Sequence, residues 1–256
     1  MNLLLLGGTS DARRMAASLH KQGVRLIYSV AGLVRMPDLP CKVISGGFSQ
    51  FAGLERYIRE YDIGAILDLT HPYAQRMSNT AVAAAKQMQI PCWRFAREAW
   101  QQTEADQWAF FNDWSELLPA LKHKKKVLLT AGQVEEVFLH KLLTSDPTRT
   151  IVLRTAAPPA YPMPDRVIWI KAIGPFNVAE ERQLFEQYSV DALVSKNSGG
   201  NAIIAKIHAA RELNTPVFML ARPHKQPADK QFLTAPECSE FVTTQCLQRS
   251  LTLNTP

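Results

Sequence analysis

Short, unbroken apolar runs recur along this chain, each followed by a longer segment of helix-period polarity, and that alternation most limits its fold. Leu3-Leu4-Leu5-Leu6 is stopped by Gly7-Gly8, after which residues 11–21 read as a helix. Further apolar runs cover residues 24–30, 43–44, 63–69 and 91–95, with helices expected over about 51–60 and 74–88. A strand that is apolar throughout is buried on both faces, and such strands separated by helices make a parallel sheet. The rhythm restarts at Val127-Leu128-Leu129. Strands are expected at 151–153, 167–170, 192–194 and 217–220, and helices over 134–143, 177–188, 201–213 and about 236–249. Asn177 and Glu180 have the spacing of a capping box. The stretch from Pro158 to Pro164 holds too many prolines for a central strand or a helix and reads as a rigid loop.

The expected class is therefore α/β in two successive halves, residues 1–124 and 125–256. The polar segment 101–106 offers a lid or a linker as the other way to divide the chain. No apolar run is long enough to span a bilayer, and the leading leucines lack the basic flank of a signal peptide. Cytoplasmic residence without membrane contact is the expectation. The four cysteines are far apart and form no C-x-x-C pair, so neither a zinc site nor a redox dithiol is expected.

The formal charge of +6 is spread along the chain. Its densest cluster, Lys122 to Lys126, sits where a helix ends, and cations there oppose the macrodipole. Without an aromatic-basic motif, nucleic acid is not an expected partner, whereas a polyanionic small molecule suits the charge.

Candidate chemistry collects where strands end and helices begin, which is where ligands bind in open α/β sheets. Gly7-Gly8-Thr9-Ser10-Asp11-Ala12-Arg13 joins the first strand to the first helix. Its glycines let backbone approach a ligand, and the helix start suits a phosphate. The spaced dinucleotide fingerprint is absent, so the turn reads equally as a glycine turn with Thr9 or Ser10 as N-cap. The second strand ends Tyr28-Ser29-Val30-Ala31-Gly32 with no acid to hold ribose hydroxyls, and Arg35 follows, a pattern that tolerates a 2′-phosphate. Asp68-Leu69-Thr70-His71-Pro72-Tyr73-Ala74 closes another strand. His71 and Tyr73 there are candidates for moving a proton or donating a hydrogen bond. Ser195-Lys196-Asn197-Ser198-Gly199-Gly200 repeats the arrangement in the second half, with Lys196 and the glycines forming an anion pocket. Leu129-Thr130-Ala131-Gly132 and Ile173-Gly174-Pro175-Phe176 are further turns on the same expected edge. No nucleophile elbow or H-E-x-x-H occurs, which argues against a hydrolase or metalloenzyme. Glycine turns report a phosphate and not a hydride, so a nucleotide- or nucleotide-sugar-binding regulatory protein without redox chemistry stays open as a second reading.

Taken in order, the glycine turn, Asp68 to Ala74, Gly174-Pro175-Phe176, Lys196 to Gly200 and Ala221-Arg222-Pro223 resemble the precorrin-6A reductase and cobalt-precorrin-6A reductase family from residue 1 to about residue 224. The resemblance implies two Rossmann-like lobes with the active site in the cleft between them. It implies hydride transfer from NADPH or NADH to a double bond of an anionic tetrapyrrole in cobalamin biosynthesis, with neighbouring corrin-pathway enzymes as candidate partners. On this reading His71, Tyr73 and Lys196 are the catalytic candidates. Gly7, Gly8, Thr9, Ser10, Arg13, Arg35, Ser198, Gly199 and Gly200 would hold the coenzyme. Arg97, Trp100, Thr130, Gly132 and Arg222 would hold the macrocycle, with Arg97, Lys196 and Arg222 clamping its carboxylates. The chain departs from the family where Arg97-Glu98-Ala99-Trp100 replaces a common Arg-Pro-x-Trp, and where Leu33 stands in place of an arginine, two residues before Arg35.

Overall fold

The four leucines after Asn2 alternate between two cores. Leu3 and Leu5 pack with Met15, Leu19, Tyr28 and Trp93, while Leu4 and Leu6 pack with Ile27, Tyr57, Ile66 and Ala84. All four are buried, so the strand they form lies in the middle of a sheet covered on both sides. Each such side chain contributes about 1.5–3 kcal/mol.

The structure, a computed structural model, describes residues 1–31 and 36–252. Its strands are β1 (Asn2–Leu6), β2 (Leu26–Val30), β3 (Lys42–Ser45), β4 (Ile63–Asp68), β5 (Cys92–Phe95), β6 (Trp108–Phe111), β7 (Lys126–Leu129), β8 (Thr150–Thr155), β9 (Val167–Lys171), β10 (Ala192–Lys196), β11 (Val217–Leu220) and β12 (Lys230–Phe232). Its helices are α1 (Ser10–Lys21), α2 (Leu54–Glu60), α3 (Gln75–Gln87), α4 (Trp114–Ala120), α5 (Glu136–Thr144), α6 (Val178–Gln187), α7 (Ala205–Glu212) and α8 (Ala235–Thr252). No helix among the described residues is long and apolar enough to cross a membrane.

The chain divides into two units. The first is Met1–Glu98 with the segment from Pro223 onward, and the second is Ala99–Arg222. The first sheet runs β12-β5-β4-β1-β2-β3 and the second β6-β11-β10-β7-β8-β9, with every pairing parallel. In both, the strand order reverses beside the first strand of the wind, between β1 and β4 and between β7 and β10. That is the doubly wound Rossmann-like arrangement, whose ligands bind at the reversal, beyond the strand C-termini.

The boundary expected at residue 124 is corrected by this division. Residues 108–120 belong to the second unit: β6 pairs with β11, Trp108 opposite Val217, and Phe111 packs at a tilt against Trp114, which packs at a tilt against Phe138. Residues from 223 return to the first unit, where β12 pairs with β5 and α8 sets Cys238 and Val242 into the core against α1. Segment 101–106 enters the second unit. Thr103 N–H and hydroxyl both donate to Asp106 at 2.8 Å, and Asp106 takes a double contact from Arg211 on α7.

Two expected helices are shorter than their patterns. Left-handed Ala52 and Gly53 (φ 58° and 116°) separate a 3-10 turn at Phe48–Phe51 from α2. Left-handed Gly199 and Gly200 (φ 66° and 71°) delay α7 to Ala205. The capping box on α6 is present, with Asn177 Oδ1 accepting from Glu180 N–H at 2.9 Å. In the second unit the fully buried Arg149 ties two helix ends together. It donates to the carbonyls of Lys124, Leu121 and Leu142 at 2.9, 2.6 and 2.6 Å.

Candidate functional site

In the first unit the turns after β1 and β4 flank the reversal, and one hydroxyl joins them. Thr9 caps α1 by accepting from Ala12 N–H at 3.1 Å, and donates to the Leu69 carbonyl at 3.1 Å. The two glycines before it have separate reasons. A Cβ on Gly7 would lie 2.1 Å from Tyr28 Cζ, so Gly7 makes room for that buried ring. The Tyr28 hydroxyl accepts from Gly8 N–H at 2.9 Å, and burial pushes its pKa up, so it stays protonated. Gly8 adopts φ 106°, and a Cβ there would meet nothing within 4 Å. Its outer face is open space for a ligand. Ser10 is half-buried and Arg13 exposed on the first turns of α1, Arg13 close enough to act electrostatically on Tyr28. Arg97 pairs with Asp11 of the same helix at 2.6 Å; burial lowers its pKa against the pull of Asp11. Arg35 lies outside the described residues.

The turn after β4 stands on a buried ion pair. Asp68 Oδ1 accepts from Thr70 N–H and hydroxyl at 3.0 and 2.7 Å, and Oδ2 accepts from Arg94 Nε at 2.9 Å. Burial alone would raise the Asp68 pKa, but Thr70, the charge of Lys225, Ser78 and Arg94 outweigh it and the carboxyl is held below its usual value. Above this support His71 and Tyr73 are partly exposed, their ring centroids 5.6 Å apart. His71 Nδ1 accepts from Tyr73 N–H at 3.3 Å. With Nδ1 accepting, the neutral ring carries its proton on Nε2. Lys225 holds the same turn through the His71 carbonyl at 3.3 Å.

In the second unit the turns after β7 and β10 flank the reversal. The Thr130 hydroxyl donates to the Val194 carbonyl at 3.1 Å and accepts from Lys206 Nζ at 3.0 Å. Gly132 has φ 83°, and Lys196 Nζ lies 3.7 Å from where its Cβ would be. Burial lowers the Lys196 pKa. Asn197 and Ser198 are buried, and Asn197 grips Trp100 through both its backbone N–H and carbonyl, at 2.8 and 3.0 Å. The Trp100 indole N–H donates to the Gly200 carbonyl at 2.9 Å, so buried Trp100 shapes the glycine turn from beneath. Arg222 Nε donates to the Asn197 carbonyl at 2.8 Å. Behind these turns Arg154 and Glu181 form a buried two-bond pair at 3.0 and 2.9 Å.

The expected residues thus fall on two rims. Gly7 to Arg13, His71, Tyr73 and Arg97 lie on the first unit; Trp100, Thr130, Gly132, Lys196, Ser198 to Gly200 and Arg222 lie on the second. Reasoning from sequence passed over Lys206. This fully buried lysine on α7 is brought down to about 7 by burial and by Arg154, against the opposing pull of Glu181, with Lys196 lowering it further. Its signal was a single cation in the apolar stripe Ile203, Ile204, Ile207, Ala210. Asp68 and Asn197 were seen as parts of motifs, but their supporting roles were not.

Two doubly wound parallel sheets with glycine, hydroxyl and cation turns at their reversals define a Rossmann-like α/β protein of two units. The chain belongs to the precorrin-6x reductase CbiJ/CobK family, whose model matches residues 2–243. It is 38% identical to a precorrin-6A reductase of Rhodococcus erythropolis, over 88% of this chain and 91% of the relative. It is 30% identical to a cobalt-precorrin-6A reductase of Priestia megaterium, over 86% and 90%. A solved CobK precorrin-6A reductase superposes with a TM-score of 0.84 at 31% identity, covering 95% of this chain and 96% of that one.

Proposed function

We propose that the chain is an enzyme of cobalamin biosynthesis that reduces precorrin-6A, or its cobalt complex, with hydride from a nicotinamide coenzyme. The observation that carries this reading is the extent of the kinship: relatives named for this reduction match both units over about nine-tenths of their length. The regulatory alternative has no such support.

The residues suit a dinucleotide. Gly8 leaves its outer face open at a positive φ, beside the start of α1, where the first amides have no carbonyl one turn back to bond. Gly7 to Ser10, Arg13 and the Ser198 to Gly200 turn would hold the coenzyme, and the coenzyme supplies hydride when bound. β2 ends without an acid to hold ribose hydroxyls, which favours NADPH, with Arg35 and Arg13 as partners for the 2′-phosphate. Arg97, Lys196 and Arg222, with Thr130 and Gly132, would seat the acid side chains of the macrocycle, and Trp100 supports that seat.

Hydride addition to a double bond is completed by a proton. His71 and Tyr73 hold candidate protons at Nε2 and at the phenol oxygen, on a turn fixed by Asp68 and Lys225. The reading places the enzyme in the cytoplasm, where nicotinamide coenzymes are re-reduced, and makes neighbouring corrin-pathway enzymes its natural partners.

The test is direct. Purified protein mixed with precorrin-6A should bleach the absorbance of NADPH; no oxidation of either NADPH or NADH would sink the proposal. Affinities of the wild type and Arg35→Ala for both coenzymes then decide the preference. Equal losses for both would remove Arg35 from the 2′-phosphate.

A further inference from the structure

Two lysines reach the Thr130–Gly132 turn from different elements. Lys196, at the end of β10, sets its ammonium over Gly132, and Lys206, from α7, bonds the Thr130 hydroxyl. Behind them Arg154 from β8 is matched by Glu181 from α6, and the Trp100 ring lies 5.8 Å from Lys206 Nζ. Among the described residues, the charged side chains that act on Lys206 are Arg154, Glu181 and Lys196. A buried group keeps its charge only when that charge is compensated. Glu181 is already engaged twice by Arg154, and among the described residues Lys206 bonds a hydroxyl and no carboxylate. An oxyanion on this turn would supply a counter-ion.

We propose that Lys206 is a proton-coupled positioning residue: when an oxyanion docks on the Thr130–Gly132 turn beside Lys196, Lys206 takes a proton from solvent, and it releases that proton when the oxyanion leaves. This rests on the ligand-binding role given above to the second rim. The gain in charge strengthens the hold on the anion electrostatically, while the Thr130 hydroxyl keeps the Lys206 ammonium in place by accepting from it and donating to the Val194 carbonyl. A phosphate of the coenzyme and a carboxylate of the macrocycle share this chemistry.

Proton uptake is read by titration calorimetry in buffers of different ionisation enthalpy. The probes are inorganic pyrophosphate, NADP⁺ and a polycarboxylate porphyrin. Because Lys206 titrates at about 7, the wild type should take up about half a proton per ligand at pH 7 and nearly one at pH 8. Uptake with pyrophosphate and NADP⁺ alone assigns a phosphate; uptake with the porphyrin alone assigns a carboxylate. Lys206→Met should bind more weakly without uptake. Lys206→Arg, always charged, should keep the binding and lose the uptake. In the wild type, affinity should fall about tenfold per pH unit above about 8, a readout independent of any variant. Unchanged uptake in Lys206→Met overturns the proposal, as does uptake below about a tenth of a proton with every probe. Coenzyme oxidation with precorrin-6A but no Lys206-dependent uptake refutes this proposal alone. Uptake without oxidation refutes the reductase reading alone.

Discussion

Arg94 Nε donates to Asp68 Oδ2 at 2.9 Å, and both side chains are buried where β4 and β5 end. Arg94 also reaches the Gln226 carbonyl at 2.8 Å, so one guanidinium ties β4 to the segment that returns to the first unit. Removing one member of a buried pair leaves the other charge unmatched, a loss of about 3–5 kcal/mol. Asp68→Asn should therefore lower the urea midpoint strongly. The pH dependence has a definite sign. Asp68 is held below its usual value when folded, so its contribution is present above about pH 4, the unfolded value, and fades as pH falls through the folded one. Urea midpoints from pH 7 down to pH 2 should fall less in Asp68→Asn than in the wild type. Parallel curves would exclude the pair as the source.

His71 and Tyr73 carry the sharpest functional expectation. General-acid assistance is worth about 10²–10⁴ in rate. Either His71→Ala or Tyr73→Phe should lower kcat at least about tenfold, a conservative part of that range. Both side chains are partly exposed, so unfolding midpoints should barely change. Normal turnover with a large drop in stability in both would make the turn a structural element only.

Gly7 is a prediction about space. An alanine methyl would collide with the buried Tyr28 ring, and overpacking a tight site costs about 1–3 kcal/mol. Gly7→Ala should unfold at lower denaturant, and the double variant with Tyr28→Leu should recover part of the loss. No recovery would place the strain elsewhere.

Arg149 makes an independent prediction for the second unit. Its guanidinium bonds carbonyls from three residues and the Ser145 hydroxyl. Arg149→Met would take this donor from the Lys124 carbonyl and leave the Leu121 and Leu142 carbonyls only Lys124 N–H and the Ser145 hydroxyl, at about 1–3 kcal/mol for each acceptor left unmatched. Thermal unfolding monitored at the second unit's tryptophans should shift down by several degrees while coenzyme affinity stays intact. A shift in affinity with no shift in melting would contradict a purely structural Arg149.

The central strands were legible because Leu3 to Leu6, Val127 to Leu129 and Ala192 to Val194 are apolar without a break, and only burial on both faces uses such runs. The rims were legible because glycines and hydroxyls follow those strands at once. Of the edge strands, β9 was expected at 167–170 and β3 as the run at 43–44, but β6 and β12 were not. β6 exposes Phe110, and β12 has three residues with only Phe232 buried, since an edge needs one row of partners and little apolar content. Lys206 was hidden for the opposite reason: it sits in an apolar stripe where a lysine is usually read as a solvated interruption. Its acceptor, Thr130, is 76 residues away in sequence.

The return of the chain to the first unit bears on how the protein is made. During synthesis the first five strands leave the ribosome long before β12 and α8, so the early sheet waits with the edge of β5 bare and the α1 side of its core lacking Cys238 and Val242. An uncovered strand edge over an incomplete core is prone to wrong pairing. The whole second unit emerges inside that interval, so the last thirty or so residues act as a late-arriving clasp. A chain ended before Pro223 and released would hold every strand of its second unit and lack β12 and α8 of its first.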